Sequence, residues 1–138
     1  YARAGWFALG LMLAASAANA QSKFGIGKPA SENEIKAWDI DVSPNGAGLP
    51  AGSGSVAQGG KLYAEKCAAC HGAKGEGKPA DRLVGGQGTL KAANPVKTIG
   101  SFWPYATTVF DYVYRAMPYT APQSLSASET YALTVTAR

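Results

Sequence analysis

The sequence has little of what most metal and catalytic sites are built from. Its 138 residues include one histidine and two cysteines, and charged residues make up only 16% of them. A structural zinc site needs four ligands, so these three side chains cannot complete one without a carboxylate or water. There is also no basic run and no basic stretch interleaved with aromatics, which argues against nucleic-acid binding.

The length, composition and N-terminal segment of the sequence predict one exported domain with a single hydrophobic core. The hydrophobic fraction of 46% is ordinary for a globular chain of this length. Residues 1–20 have the pattern of a signal peptide: Arg3, an apolar stretch over residues 6–15, and the cleavage motif "ANA" before Gln21. The apolar stretch is too short for a membrane anchor, the alternative reading, which needs about 20 residues. We therefore predict no stable membrane insertion after cleavage.

Residues 21–54 predict an irregular leader, and residues 55–138 a helical domain. Within the leader only Ser31–Trp38 has a helical pattern, with a capping box formed by Ser31 and Glu34. The rest is rich in proline and glycine, so it should wrap a surface, either of its own domain or of a partner. The leader is mildly acidic and the domain is basic, which could steer an acidic partner or simply be a solvated surface.

Three helices are predicted in the domain. The first begins at the capping box of Ser55 and Gln58, and Gly59 on its Tyr63 face should let another helix approach closely. The best candidate for that neighbour is the C-terminal helix, which begins at "SASETYAL". Between them, "PYATTVFDYVYRAM" predicts a helix with Pro104 at its first position and Met117 where Pro118 forces the chain to turn away.

The motif "CAACH" carries the chemistry. Two cysteines three apart followed by a histidine are the attachment pattern of a c-type haem: Cys67 and Cys70 would form thioethers, and His71 would ligate the iron. A zinc site lacks a fourth ligand, and a thioredoxin-like redox pair would follow a strand rather than a capped helix. In bacteria this haem is attached outside the cytoplasm, which agrees with export.

The second axial ligand follows by elimination. His71 is the only histidine, and of the two methionines Met12 lies in the export segment, which leaves Met117. Core packing is the alternative role for a methionine at a helix end. A thioether fills the last coordination position of haem iron, so it favours electron transfer and disfavours a peroxidase-like haem enzyme. Trp103, Tyr105 and Arg115 are weaker candidates, as donors to a haem propionate.

"CAACHG" followed later by "RAMP" resembles class I cytochrome c, an all-α fold of three to five short helices around one covalently bound haem c. Several further stretches, among them "KPASENEIKAWDIDV" and "KTIGSFWPYATTVFDYVYRAMPY", are similar to the cytochrome subunit of bacterial Sox sulfane dehydrogenase and of related sulfite dehydrogenases. The resemblance implies a periplasmic electron-transfer subunit that is not itself catalytic. Its partners would be a molybdenum-cofactor dehydrogenase subunit and a downstream cytochrome or oxidase.

Two features depart from that family. Its members often carry a second haem domain, whereas the sequence contains one C-x-x-C-H motif, so the chain is either a one-haem relative or a fragment. The ending "YALTVTAR" also has fewer apolar residues than the last helix of that family usually contains. We therefore expect a truncated C-terminal helix. The alternative function is a free-standing soluble cytochrome c that serves other oxidoreductases.

Overall fold

The computed structural model describes residues 26–137, and the predicted signal peptide lies outside them. Within these residues the chain divides into two units, one that ends at Ile35 and one that begins at Lys36. The described residues contain only helices as regular structure, which confirms the all-α prediction. These helices are α1 (Glu32–Trp38), α2 (Val56–Lys66), α3 (Ala68–His71), α4 (Ile99–Phe102), α5 (Ala106–Ala116) and α6 (Ala127–Thr136). No helix within residues 26–137 has the length and apolar character that crossing a membrane requires.

Three of these helices begin at capping boxes that the sequence predicted. At α1 the backbone N–H of Ser31 donates to the Glu34 carboxylate at 2.7 Å, and the N–H of Glu34 donates to the Ser31 hydroxyl at 3.3 Å. The same reciprocal arrangement joins Ser55 to Gln58 at α2, and Ser126 to Glu129 at α6. Each box satisfies backbone donors that a helix start leaves without an intrahelical acceptor.

Helices α2 and α6 pack closely against each other at Gly59. A Cβ atom at this position would collide with the carbonyl oxygen of Ala132 and the hydroxyl of Thr136. The predicted close approach of the C-terminal helix is therefore confirmed. At the other end of this contact the Lys66 ammonium pairs with the Glu129 carboxylate at 3.0 Å.

Helix α5 begins two residues later than predicted. Tyr105 is its N-cap and Ala106 its first residue, so Pro104 lies before the helix rather than at its first position. Met117 is the C-cap, with extended backbone angles of φ −119° and ψ 150°. This matches the expectation that Pro118 keeps the preceding residue out of the helix.

The core lies between α5 and α6. Phe110 is 1% exposed, and its ring centroid lies 4.5 Å from that of Tyr131 on α6 and 5.5 Å from that of Tyr114. The other buried apolar residues of the described chain are few and mostly small: Val42, Val109, Leu125, Ala132 and Leu133. A core of this size makes the domain dependent on whatever else covers its apolar side chains.

Candidate haem site

The three residues of the attachment motif lie on a single helical turn. Cys67 ends α2 and precedes α3, while Cys70 and His71 belong to α3. The backbone N–H groups of Cys70 and His71 both donate to the Cys67 carbonyl, at 3.1 and 3.0 Å. The two cysteines are not joined in a disulfide: Cys70 is exposed, and Cys67 is half-buried, which raises the pKa of its thiol through desolvation.

The imidazole of His71 is oriented by a backbone carbonyl. Its Nδ1 lies 2.7 Å from the carbonyl oxygen of Asp81, which can only accept a hydrogen bond. In the neutral imidazole Nδ1 therefore carries the proton, and Nε2 has the lone pair that a metal needs. A hydrogen bond on the far nitrogen is the usual device that fixes the orientation of a metal-ligating histidine.

The loop that brings Asp81 back to His71 is pinned to the motif by hydrogen bonds. The N–H of Gly77 donates to the carbonyl of His71 at 2.7 Å, and the N–H of Ala80 donates to the carbonyl of Cys70 at 2.9 Å. At its start, the hydroxyl of Tyr63 donates to the carbonyl of Gly72 at 2.8 Å. Burial raises the pKa of this phenol, so it stays protonated as a donor at neutral pH.

Met117 sits at the end of α5 with a half-buried side chain. Its backbone N–H donates to the carbonyl of Val113 at 3.1 Å, which holds the residue to the last turn of the helix. Between His71 and Met117 along the chain, several large apolar side chains keep about half of their surface exposed. They are Val84, Leu90, Phe102, Tyr105 and Tyr112.

This donor set fits a haem. An imidazole with a free Nε2, a thioether side chain and two thiols on one turn are the groups that a c-type haem uses. The half-exposed apolar side chains offer the kind of surface that a porphyrin would cover. Within residues 26–137, no three His, Cys, Asp or Glu side chains converge as ligands of a single metal ion.

Of the weaker candidates, Arg115 has another partner. Its Nε and Nη2 donate to the two carboxylate oxygens of Asp111 at 2.8 and 2.6 Å. The guanidinium, which was predicted to donate to a haem propionate, is therefore already paired with a carboxylate. The Trp103 ring lies edge-on to Tyr112, with ring centroids 5.6 Å apart, and Tyr105 is exposed.

Sequence reasoning missed the role of Asp81. The contribution comes from a main-chain oxygen ten residues after the histidine, so no side-chain type marks the position. The available signal was indirect: the glycines at 72, 75 and 77 all have positive φ and allow the loop to fold back.

An all-α domain whose first core helix runs into a C-x-x-C-H turn, with its C-terminal helix packed across that first helix, defines a class I cytochrome c. The family described as "Cytochrome C oxidase, cbb3-type, subunit III" matches residues 54–135, more than half of the chain. The protein belongs to this family of c-type cytochrome domains, whose cofactor is haem c.

A solved structure gives a narrower likeness. The chain is 51% identical, with a TM-score of 0.75, to a chain of the sulfane dehydrogenase SoxCD from Paracoccus pantotrophus. The match covers 83% of this chain and 57% of that one, so the present chain spans little more than half of its neighbour's length. The predicted resemblance to the Sox cytochrome subunit is thereby confirmed. No curated protein matches the chain.

The likeness to SoxCD extends into the leader. The family match covers residues 54–135 and ends close to the C-terminus. A match over 83% of the chain must therefore include much of the segment before residue 54. Part of the segment before residue 54 is thus shared with the sulfane dehydrogenase chain, and this segment lies outside the region matched by the general cytochrome family.

Proposed function

We propose that this protein is an exported, single-haem electron-transfer subunit that accepts electrons from a molybdenum-dependent sulfane or sulfite dehydrogenase subunit in the periplasm. The likeness to SoxCD carries the proposal, because it reaches 51% identity and includes part of the segment before residue 54 as well as the haem domain. A general electron carrier would need only the cytochrome domain.

In this proposal Cys67 and Cys70 would hold the haem covalently through thioethers, and His71 and Met117 would ligate its iron. When bound, the haem supplies an iron that accepts and releases one electron at a time. Residues of the chain determine how the iron is held and which oxidation state is favoured. Asp81 holds the His71 imidazole in one tautomer, and Met117 offers a soft ligand that favours the reduced state.

The exposed part of the leader is the proposed contact with the dehydrogenase subunit. Residues 28–39 are exposed throughout, and Trp38 leaves 84% of its surface in solvent. Tryptophan is the residue type most often found as an energetic anchor when a partner buries it. We therefore assign Trp38 as the anchor of this contact.

The test is reduction of the haem by the complex. The mature protein should co-purify with the molybdenum subunit, and sulfite or thiosulfate should reduce its haem only when that subunit is present. Trp38→Ala should weaken the association by about tenfold or more, the typical effect of losing an anchor residue. Val56→Ala, at a position that is 61% exposed on α2, is the matched control and should leave association unchanged.

Two outcomes would contradict the proposal. Haem reduction that is equally fast with unrelated reductases and needs no molybdenum subunit would point to the free-standing carrier. Association that is unaffected by Trp38→Ala, or equally weakened by Val56→Ala, would overturn the leader as the contact but not the electron-transfer role.

A further inference from the structure

The second half of the leader is seated on its own haem domain, although it has no regular structure. Val42 is 5% exposed and is one of the few buried apolar residues of the described chain. Further along, a Cβ atom at Gly54 would collide with the backbone of Ala132 on α6. This segment contributes a side chain to the core and lies too close to α6 at Gly54 for any side chain there. It therefore has a fixed position on the domain. We call residues 41–54 the strap.

Two hydrogen bonds join the strap to one side of α5. The backbone N–H of Val42 donates to a carboxylate oxygen of Asp111 at 2.8 Å, and the hydroxyl of Thr107 donates to the carbonyl of Pro44 at 2.8 Å. Thr107 and Asp111 are four residues apart, so they lie on the same face of the helix. A third bond, from the Tyr131 hydroxyl to the carbonyl of Pro50, joins the strap to α6.

Asp111 is a partly buried, charged acceptor for the Val42 N–H. Its side chain is only 14% exposed, and the guanidinium of Arg115 binds both of its oxygens. This pair holds the pKa of the Asp111 carboxyl below its usual range, so the acceptor for Val42 is charged at neutral pH. Hydrogen bonds to a charged acceptor are stronger than those between neutral groups.

The same helix carries Met117. The residue follows α5 directly and is bonded to it through Val113, so a rotation or shift of α5 moves the methionine with it. We propose that the strap fixes α5 in the register that presents Met117 to the haem iron, and that Asp111 and Thr107 are positioning residues for this ligand. This inference rests on the proposed ligation by Met117.

The proposal predicts a specific loss of methionine ligation when the two bonds are removed. Thr107→Val keeps the shape of the side chain and removes only the hydroxyl, and Asp111→Ala removes the acceptor for Val42. In the ferric holoprotein the weak red absorption band given by thioether ligation should diminish in each variant, and most in the double variant. The ferrous double variant should bind carbon monoxide roughly tenfold more readily, since each lost hydrogen bond contributes a factor of several.

Arg115→Met is the matched control. It also breaks the ion pair with Asp111, but it leaves the carboxylate that accepts from Val42, so the absorption band should be largely retained. If the double variant fails to fold, Thr107→Val alone decides, because it is isosteric and should still reduce the band.

The possible failures can be told apart. A wild-type protein without the thioether band would overturn the ligand assignment of Met117, and with it this inference. A normal band and unchanged carbon monoxide binding in folded Thr107→Val and double variants would overturn the strap's role alone. A loss in Arg115→Met as large as in Asp111→Ala would attribute the effect to the ion pair instead.

Discussion

Glu129 serves two contacts at once at the start of α6. One carboxylate oxygen accepts from the N–H and hydroxyl of Ser126, both at 2.9 Å, and the other accepts from the Lys66 ammonium at 3.0 Å. These donors, with the backbone N–H of Ser126 first among them, lower the pKa of Glu129 to about 2. A single side chain therefore joins the cap of one helix to the last turn of another.

This pKa predicts acid sensitivity. The folded-state pKa lies below the ordinary value of 4.5, so the carboxylate stabilises the fold above that value, and its contribution is lost as pH falls toward 2. The contribution should be on the order of 1 kcal/mol, because the pair is partly solvent-screened. Comparing unfolding free energies at neutral and acidic pH in wild type and Glu129→Gln measures it.

Glu129→Gln is a selective change because glutamine can still complete the capping box, as Gln58 does with Ser55. Between pH 4.5 and 2 the variant should lose less stability than the wild type. Glu129→Ala, which also removes the acceptor for the Ser126 N–H, should cost about 1 kcal/mol more at neutral pH. Parallel acid profiles for wild type and Glu129→Gln would contradict the assignment.

Substitution of Met117 should separate two properties of the haem. With Met117 as the proposed ligand, Met117→Ala should open a coordination position, so the ferrous protein should gain carbon monoxide binding. Met117→His fills the position with a nitrogen ligand, so it should still exclude carbon monoxide but lower the reduction potential, because the thioether favours ferrous iron. Optical spectroscopy and potentiometry give both readouts. Unchanged spectra in both variants would show that Met117 only packs.

At the scale of helices, the contact between α2 and α6 depends on one missing side chain. Gly59 faces the backbone of Ala132 and the hydroxyl of Thr136, whereas its neighbour Gly60 has nothing within 4 Å of a Cβ position. The two glycines share one helix and differ only in what they face. They make a matched pair for measuring how much the close approach contributes.

Gly59→Ala should destabilise the domain by about 1–3 kcal/mol, because the extra methyl forces two helices apart. Gly60→Ala should stabilise it by about 0.5–1 kcal/mol, because alanine is the better helix former and meets no neighbour. Thermal or denaturant unfolding of the holoprotein compares them. Effects of equal sign would contradict this account of the helix crossing.

The elements that could be predicted from the sequence are those specified locally. Capping boxes at Ser31, Ser55 and Ser126 act over three residues, and the C-terminal end of α5 is set by Pro118. The start of α5 was placed two residues early, because Pro104 suits a first helical position but here precedes the N-cap. The hydrogen bond between Val42 and Asp111 joins residues far apart in sequence, and no local pattern encodes it.

For the candidate site, the residues named from the sequence were those whose type carries chemistry. Cys67, Cys70, His71 and Met117 were predicted because a thiol, an imidazole and a thioether are the groups that bind a c-type haem. The carbonyl of Asp81 could not be, because every residue has one and only the path of the loop brings it to His71. Groups that support ligands through the backbone leave little trace in one sequence.

Over the whole molecule, buried apolar side chains are scarce. Six are buried among residues 26–137, while a larger number of large apolar residues stay at least partly exposed. A haem packed against the half-exposed apolar side chains would enlarge this small core considerably. The fold should therefore depend on the haem that it is proposed to hold.

Removing both attachment residues tests that dependence. Cys67→Ala combined with Cys70→Ala should abolish cooperative thermal unfolding as followed by circular dichroism, because the haem is no longer retained. Cys70→Ala alone, with one thioether remaining, is the control and should keep a cooperative transition at a lower temperature. A double variant that unfolds as cooperatively as the wild type would show that the polypeptide is stable by itself.

The strap also bears on where this domain is cut for expression. The family match starts at residue 54, and a clone designed to that limit would look complete, with its haem motif, Met117 and the α2–α6 pair all retained. It would nevertheless omit Val42, a member of the buried core, and the partners of Thr107, Asp111 and Tyr131. Such a fragment would report the properties of a damaged protein, so cloning boundaries here should be set by buried contacts and placed upstream of residue 41.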